Sequence, residues 1–449
     1  MRIALLATFA LATFASVALK PTPASACGGC FAPPENPSVV TDHRMILSIS
    51  PTQTTLYDQI HYQGDPASFA WVLPITGEAK VGLSADVLFG SLDGLTKTTV
   101  QAPPRSCPQP PQCFSNFGGA TAADASASPP GVTVTKEEVV GPYQTVQLKA
   151  TDPAALEAWL AANNFKVPDD VKPVIAAYVQ EKFDFLALKL VPGKGVASMR
   201  PVRISVQGAS PTLPLRMVAA GTGAVVGVTL WVVADGRYEP QNFPWFRIQD
   251  SQITWDWAQS RSNYSDLRVA ETAKSQGRGW EIESSLSLNQ NLLGNYVRSG
   301  GYGYGASTDG STDYLPIDGA TPLTASQVRD ADLSALFLGL GQGFRVTRMR
   351  ADLAHGALVD DLSLKASGDQ LELSNFRRAH DAINIPPCPT FGRCAADGGP
   401  GTDGYGTSLQ GGGCSVVAEH GAQASDLALS FAGLTFLGLV ISRRRRRFS

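Results

Sequence analysis

The chain runs to 449 residues yet holds only five histidines, His43, His61, His355, His380 and His420. No two of them stand at metal-ligand spacing, and neither His-x-x-x-His nor His-Glu-x-x-His occurs, which excludes a helix-borne zinc motif. A Gly-x-Ser-x-Gly elbow and a Walker loop are also missing. Gly339-Leu340-Gly341-Gln342-Gly343 lacks the third element of a dinucleotide fingerprint, so Gly339 and Gly341 read as a helix stop and a turn. No period of 20 to 50 residues recurs, which excludes a repeat solenoid. No catalytic, metal or cofactor residue is therefore expected from motif, and a site assembled from distant residues is invisible to spacing.

Positive charge is scarce in the middle of the chain. Seven of the 36 lysines and arginines sit at the two ends, leaving 29 bases against the 39 acids. An acidic body excludes non-specific nucleic-acid binding, which needs a basic surface to neutralise phosphates. The apolar share of 43% is that of a globular protein, and the length suits two or three ordinary domains or one large one.

Both ends carry addresses. Residues 1–26 have a basic start at Arg2, an apolar run over 3–19 and a small-residue cleavage site ending at Ala26, which is the pattern of a secretory signal peptide and implies signal peptidase as a partner. Lys20, Pro21 and Pro23 end the run too soon for a membrane span. The first mature residues are Cys27-Gly28-Gly29-Cys30. Two thiols at this spacing suit a disulfide or a redox pair, but Pro33, Pro34 and Pro37 bar the helix that would activate a thioredoxin-like thiol. A structural disulfide, within the pair or to distant partners, is the expectation for an exported chain. Zinc would need four reduced ligands. Cys27 also stands where a lipoprotein is acylated, although Ala24 replaces the usual leucine.

At the other end, Gly411-Gly412-Gly413 and Cys414 lead through a polar spacer to an apolar stretch at 427–442, followed by Arg443, Arg444, Arg445, Arg446 and Arg447. Its uninterrupted apolar part would span roughly 22 Å as a helix, short of the ~30 Å hydrocarbon layer, and the arginines would stay cytoplasmic. This tripartite tail, residues 414–449, resembles the MYXO-CTERM sorting signal. The resemblance implies that Cys414 is the sorting cysteine, that a membrane protease processes the tail, and that the protein reaches the cell surface, held by the membrane beforehand.

The body between is expected to be α+β: β-rich mixed sheets with several packed helices, stapled by disulfides. Strands are expected at 45–50, 54–62 and 68–73, then a helix at 85–97 capped by Ser84 with Leu88, Leu92 and Leu95 on one face. A hairpin turns at Gly141-Pro142. Helices follow at 152–160 and 168–182, strands at 183–191, 202–206, 213–219 and 225–233, and a helix at 263–273. A last helix at 330–340 precedes strands at 344–353 and 358–364. The signal peptide, Cys27-Gly28-Gly29-Cys30-Phe31, the early strand pair and Phe69-Ala70-Trp71-Val72-Leu73-Pro74-Ile75 before a helix resemble domain-of-unknown-function family 2330. The similarity runs over about 26–380, within an extracytoplasmic region placed at 27–394. The family implies no catalytic residues.

Residues 101–131 form a Pro-, Ala-, Ser- and Gly-rich insertion that cannot bury a core. Inside it lie Cys107 and Cys113, and the same six-residue offset recurs at Cys388 and Cys394. Two local disulfides are the simplest reading, and pairing between the segments is the alternative. A Gly-rich linker at 395–413 supplies reach. Asp169-Asp170 and Asp360-Asp361 read as solvated element ends rather than calcium ligands. Trp245, Trp255 and Trp257, near Phe243 and Phe246, read as core, with a carbohydrate-stacking surface as the alternative. The expected function is a non-catalytic structural or binding role at the cell envelope, its ligand unspecified. The alternatives are an exported oxidoreductase or hydrolase, or a carbohydrate- or peptide-binding module.

Overall fold

The β-branched and aliphatic residues of Asp42–Ile49 and Gln53–Ile60 form β1 and β2, an antiparallel pair within the largest sheet. The structure, a computed structural model, describes residues 42–60, 70–107, 139–163, 169, 171–191, 199–219, 224–301, 323–388, 390–391 and 416–417. The signal peptide with Ala26, the cysteines Cys27, Cys30, Cys113, Cys394 and Cys414, most of the insertion, the linker and the arginine-ended tail lie outside the described residues. The chain divides into two units, Met1–Pro103 with Pro130–Ile385, and Pro104–Pro129 with Pro386–Ser449. All the elements labelled below belong to the first.

In chain order there follow β3 (Ala70–Ile75), β4 (Lys80–Leu83), α1 (Asp86–Thr96), β5 (Thr99–Gln101), β6 (Val139–Val140) and β7 (Tyr143–Leu148). Next come α2 (Pro153–Ala162), α3 (Lys172–Gln180), β8 (Asp184–Leu190), β9 (Val202–Gln207), β10 (Thr212–Leu213), α4 (Leu215–Val218), β11 (Val225–Ala234) and β12 (Tyr238–Pro240). The remainder comprises β13 (Trp245–Phe246), β14 (Thr254–Asp256), β15 (Arg261–Ser262), α5 (Tyr264–Lys274), β16 (Trp280–Asn289), α6 (Gln290–Ser299), α7 (Ala325–Leu336), β17 (Gly343–Ala354), β18 (Leu362–Ala366), β19 (Phe376–Arg378) and β20 (Asp381–Ile383).

The main sheet has eight strands in the order β13-β16-β17-β11-β1-β2-β9-β4. It is mixed: β1 runs parallel to β11 and β13 to β16, while the other neighbours are antiparallel. A second sheet orders β3-β8-β7-β6. Because side chains alternate across a strand, Trp71 and Leu73 with Leu186 and Leu188 join the core of the large sheet. Their neighbours Val72, Phe185 and Ala187 pack instead with Leu156 and Leu160 of α2 and Ile175 and Tyr178 of α3. On its other face the large sheet is covered by α1, α6 and α7 through Leu88, Phe89, Leu92, Leu293, Val297, Leu333 and Leu336. The stacking is thus helix, sheet, sheet, helix, and the α+β class with mixed sheets and packed helices is what the chain adopts. Burying whole rings such as Trp231 and Trp280, both at 0% exposure, contributes on the order of 2–3 kcal/mol each.

Several expectations change in detail. Ser84 does not cap α1: its N-cap is Ala85, with no side-chain bond of its own, and the Ser84 hydroxyl donates to Asp332 instead. The strand expected over 213–219 gives way after Leu213, where Pro214 starts the helical turn α4. The helix expected from 168 begins at Lys172, and the last strand begins at Leu362 rather than 358. No element is expected over 280–298 and a loop from Ser299, yet Trp280–Asn289 forms β16 and Gln290–Ser299 forms α6. The hairpin turn does fall at Gly141, whose φ of 59° and contact with Leu83 require glycine. Asp152 does cap α2, accepting from Ala154 N at 3.1 Å.

Candidate functional site

A disulfide joins Cys107 to Cys388, 281 residues apart, with Cα atoms 5.5 Å apart. Both cysteines fall in the second unit, where the Arg105 guanidinium donates to the carbonyls of Pro386 at 2.7 Å and Pro387 at 3.1 Å. This overturns the local-loop reading for both segments, since Cys107 is not left for Cys113 nor Cys388 for Cys394. The alternative, pairing between the segments, is the one realised.

The other residues singled out by sequence disperse. Trp245 lies on edge strand β13 at 42% exposure, while Trp255 and Trp257 meet edge to face at 6.3 Å on the small sheet β15-β14-β20. Phe243 is buried beneath the Arg278 guanidinium. Asp360 and Asp361 do point apart: Asp360 pairs with Arg278, while Asp361 accepts from the Tyr178 hydroxyl at 2.5 Å and pairs with Arg216 at 2.7 Å. Asp361 is thus an interior ligand rather than a solvated end. Asp169 pairs with Lys172 at 2.6 Å. His355 and His380 are exposed, and His61 and His420 lie outside the described residues. Among the described residues no three His, Cys, Asp or Glu side chains gather as metal ligands.

His43 is the exception, fully buried on β1 with Nδ1 3.8 Å from Asp58 Oδ1 on β2. The pair faces the otherwise apolar space between the two sheets. There Asp58, with Met45, Trp71 and Met217, lines a cavity with room for about one water.

The helix-covered face of the large sheet is charged, and sequence inspection missed it. Arg348 of β17 stands opposite Trp231 of β11, Arg44 of β1 lies diagonal to it, and both guanidiniums lie over the Trp231 ring, Arg44 at 5.3 Å and Arg348 at 5.1 Å. Arg348 bonds Asp93 of α1 at 2.6 Å and Glu283 of β16. Arg44 reaches Asp93 at 3.8 Å and Gln59 at 3.0 Å, and Gln59 donates to Asp86. A second centre forms where Asp332 of α7 takes the Arg203 guanidinium at 2.6 Å, the Ser84 hydroxyl at 2.8 Å and the Ala85 amide at 2.9 Å. Burial pushes the Asp332 carboxyl up to about 6, against the pull of Arg203 and of those hydrogen bonds.

A third centre lies under α5. The Tyr264 hydroxyl donates to Glu281, and Glu283, two residues along β16, pairs with Arg348 and Arg268. Burial, then the charge of Glu283, raises Glu281 to about 7. Arg268 also reaches Asp352 at 3.6 Å. Close by, Arg377 of β19 bonds Asp250 at 2.5 Å and the Ile248 carbonyl. The only sequence signal for these groups was the alternation in Trp280-Glu281-Ile282-Glu283, which reads equally well as a solvated face.

The chain matches the family described as "Uncharacterized protein conserved in bacteria (DUF2330)" over residues 21–315. No curated protein and no solved structure was found to be similar.

Proposed function

Because the chain belongs to this family of uncharacterised bacterial proteins, DUF2330, we propose that it is an exported, surface-sorted envelope protein with a non-catalytic structural or binding role. The observation that carries the reading is the Cys107–Cys388 bridge, because such bonds persist in oxidising compartments and are rare in the cytosol. The leader ending at Ala26 supplies the route out, by way of signal peptidase. The tail supplies the address: a sorting protease acting near Cys414, the membrane holding 427–442, and Arg443–Arg447 retained inside. A non-catalytic role fits the way the interior charges are used, since Arg348 with Glu283 and Arg203 with Asp332 neutralise each other between layers.

The test is fractionation of the native host with terminal peptide mapping under non-reducing conditions. We expect envelope-associated protein that begins at Cys27, has lost the arginine tail and yields a peptide pair joined through Cys107 and Cys388. Recovery of the intact chain in the cytosol with free thiols would overturn the reading. No helix among the described residues is long and apolar enough to cross a membrane; retention before processing is assigned to 427–442, and deleting that stretch should release the unprocessed protein.

A further inference from the structure

Around Arg247 the interior holds guanidinium N–H groups that no partner among the described residues takes. Arg247 is half-buried just beyond β13, and among the described residues its side chain has neither a hydrogen bond nor an ion pair, its buried Nε included. Two deeply buried arginines share its surroundings. Arg377, at 3% exposure, spends Nε on Asp250 and Nη2 on the Ile248 carbonyl but leaves Nη1 unpartnered. Arg237, at 4%, spends its terminal nitrogens on Ser367, Leu371 and Asp369 but leaves Nε unpartnered. Asp250 and Asp369 are each already engaged by one of these two, and Glu281, whose charge acts on Arg377, already accepts from the Tyr264 hydroxyl.

From this unpaired guanidinium beside two buried ones with idle N–H groups, we infer that the Arg247 corner binds a small oxyanion: a carboxylate, sulfate or phosphate group. The chemistry is that of the donors. An arginine offers five N–H groups and no acceptor, in a fork that fits two oxygens of such a group. The electrostatics agree, because burial and then the cations Arg377 and Arg237 press the Arg247 guanidinium below the ordinary arginine value, with Asp250 and Tyr264 opposing.

The inference does not depend on where the protein resides, so its test is independent of the export reading. The purified full chain is titrated with sodium sulfate, sodium phosphate and sodium glucuronate against sodium chloride at fixed ionic strength, by calorimetry and by thermal unfolding. We expect saturable one-to-one binding by at least one anion and a matching rise in melting temperature. Preference among the three tells a sugar acid from a tetrahedral anion. Arg247→Gln should cut the affinity at least tenfold while melting no lower than the parent in chloride, because the charge it removes has no partner. Arg298→Gln, which breaks the exposed pair with Asp330, should leave binding intact. A rise in melting temperature that never saturates and is equal in parent and Arg247→Gln is general salt stabilisation and overturns the proposal. A marked loss of stability in Arg247→Gln in chloride overturns it as well.

Discussion

Asp332 and Glu281 show how much of this interior rests on single carboxylates. The Asp332 side chain is fully buried and holds Arg203, Ser84 and the amide of Ala85, the N-cap residue of α1, at once. Asp332→Ala leaves a largely buried guanidinium without its partner, so we expect a loss of about 3–5 kcal/mol, measured by urea unfolding. Asp332→Asn, which keeps one acceptor, should lose less. Glu281 gives a pH signature. Its folded value, about 7, lies above the ordinary 4.5 because of burial and Glu283. Between those values the folded chain keeps a proton that the unfolded chain has released. The stability this group supplies is therefore complete below about 4.5 and lost as pH rises through 7, by about 3 kcal/mol. Asp332, raised to about 6, slopes the same way from about 4. Denaturant midpoints taken between pH 5 and 8 should fall, and Glu281→Gln should flatten most of that fall. Neither residue was legible in the sequence. Spacing cannot reveal that a carboxylate 247 residues beyond Ala85 takes the amide of that N-cap residue.

Elements with local signals were the legible ones. Asp152 followed by Pro153 marks α2 because its carboxylate accepts an amide of the first turn. Asp152→Ala should cost about 1 kcal/mol in chemical denaturation. Gly141 is constrained by both conformation and contact, since an added Cβ would lie 2.4 Å from Leu83 Cδ1. Gly141→Ala should accordingly cost more than the cap, about 1–3 kcal/mol, and loosen the β6–β7 hairpin in hydrogen exchange. Illegible elements were those whose character is set by what covers them. The strand β16 carries Glu281 and Glu283 in alternation, as a half-exposed strand would, yet α5 and α1 close over it. Residues 213–219 look like a strand by hydrophobicity, but Pro214 breaks the ladder.

For the whole molecule, class was legible and stacking was not. The mixed α+β character follows from strand and helix signals along the chain. The order β13-β16-β17-β11-β1-β2-β9-β4 depends on partners as far apart as Asp42 and Gly227, which local patterns cannot name. The same holds for the cysteines: spacing favoured loops of six residues, and the bond closes one of 281. In the loop-entropy picture a bridge of that span is worth about 5 kcal/mol. Cys388→Ser should lower the unfolding midpoint in proportion and free Cys107 for alkylation. With Cys107 committed, Cys113 and Cys394 have lost their local mates, and we expect peptide mapping to find them joined to each other.

Strand β11 lies at the centre of the large sheet, held between β1 from near the amino end and β17 from beyond residue 342. Until the ribosome has reached that last quarter, β11 has one bare edge, and pairings this remote in sequence form slowly. A nascent chain emerging amino end first would thus stay open through most of its synthesis, which is the condition a polypeptide must be in to thread a secretion pore. A chain stopped before Gly343 should never close its central sheet, and should aggregate rather than yield a smaller folded product.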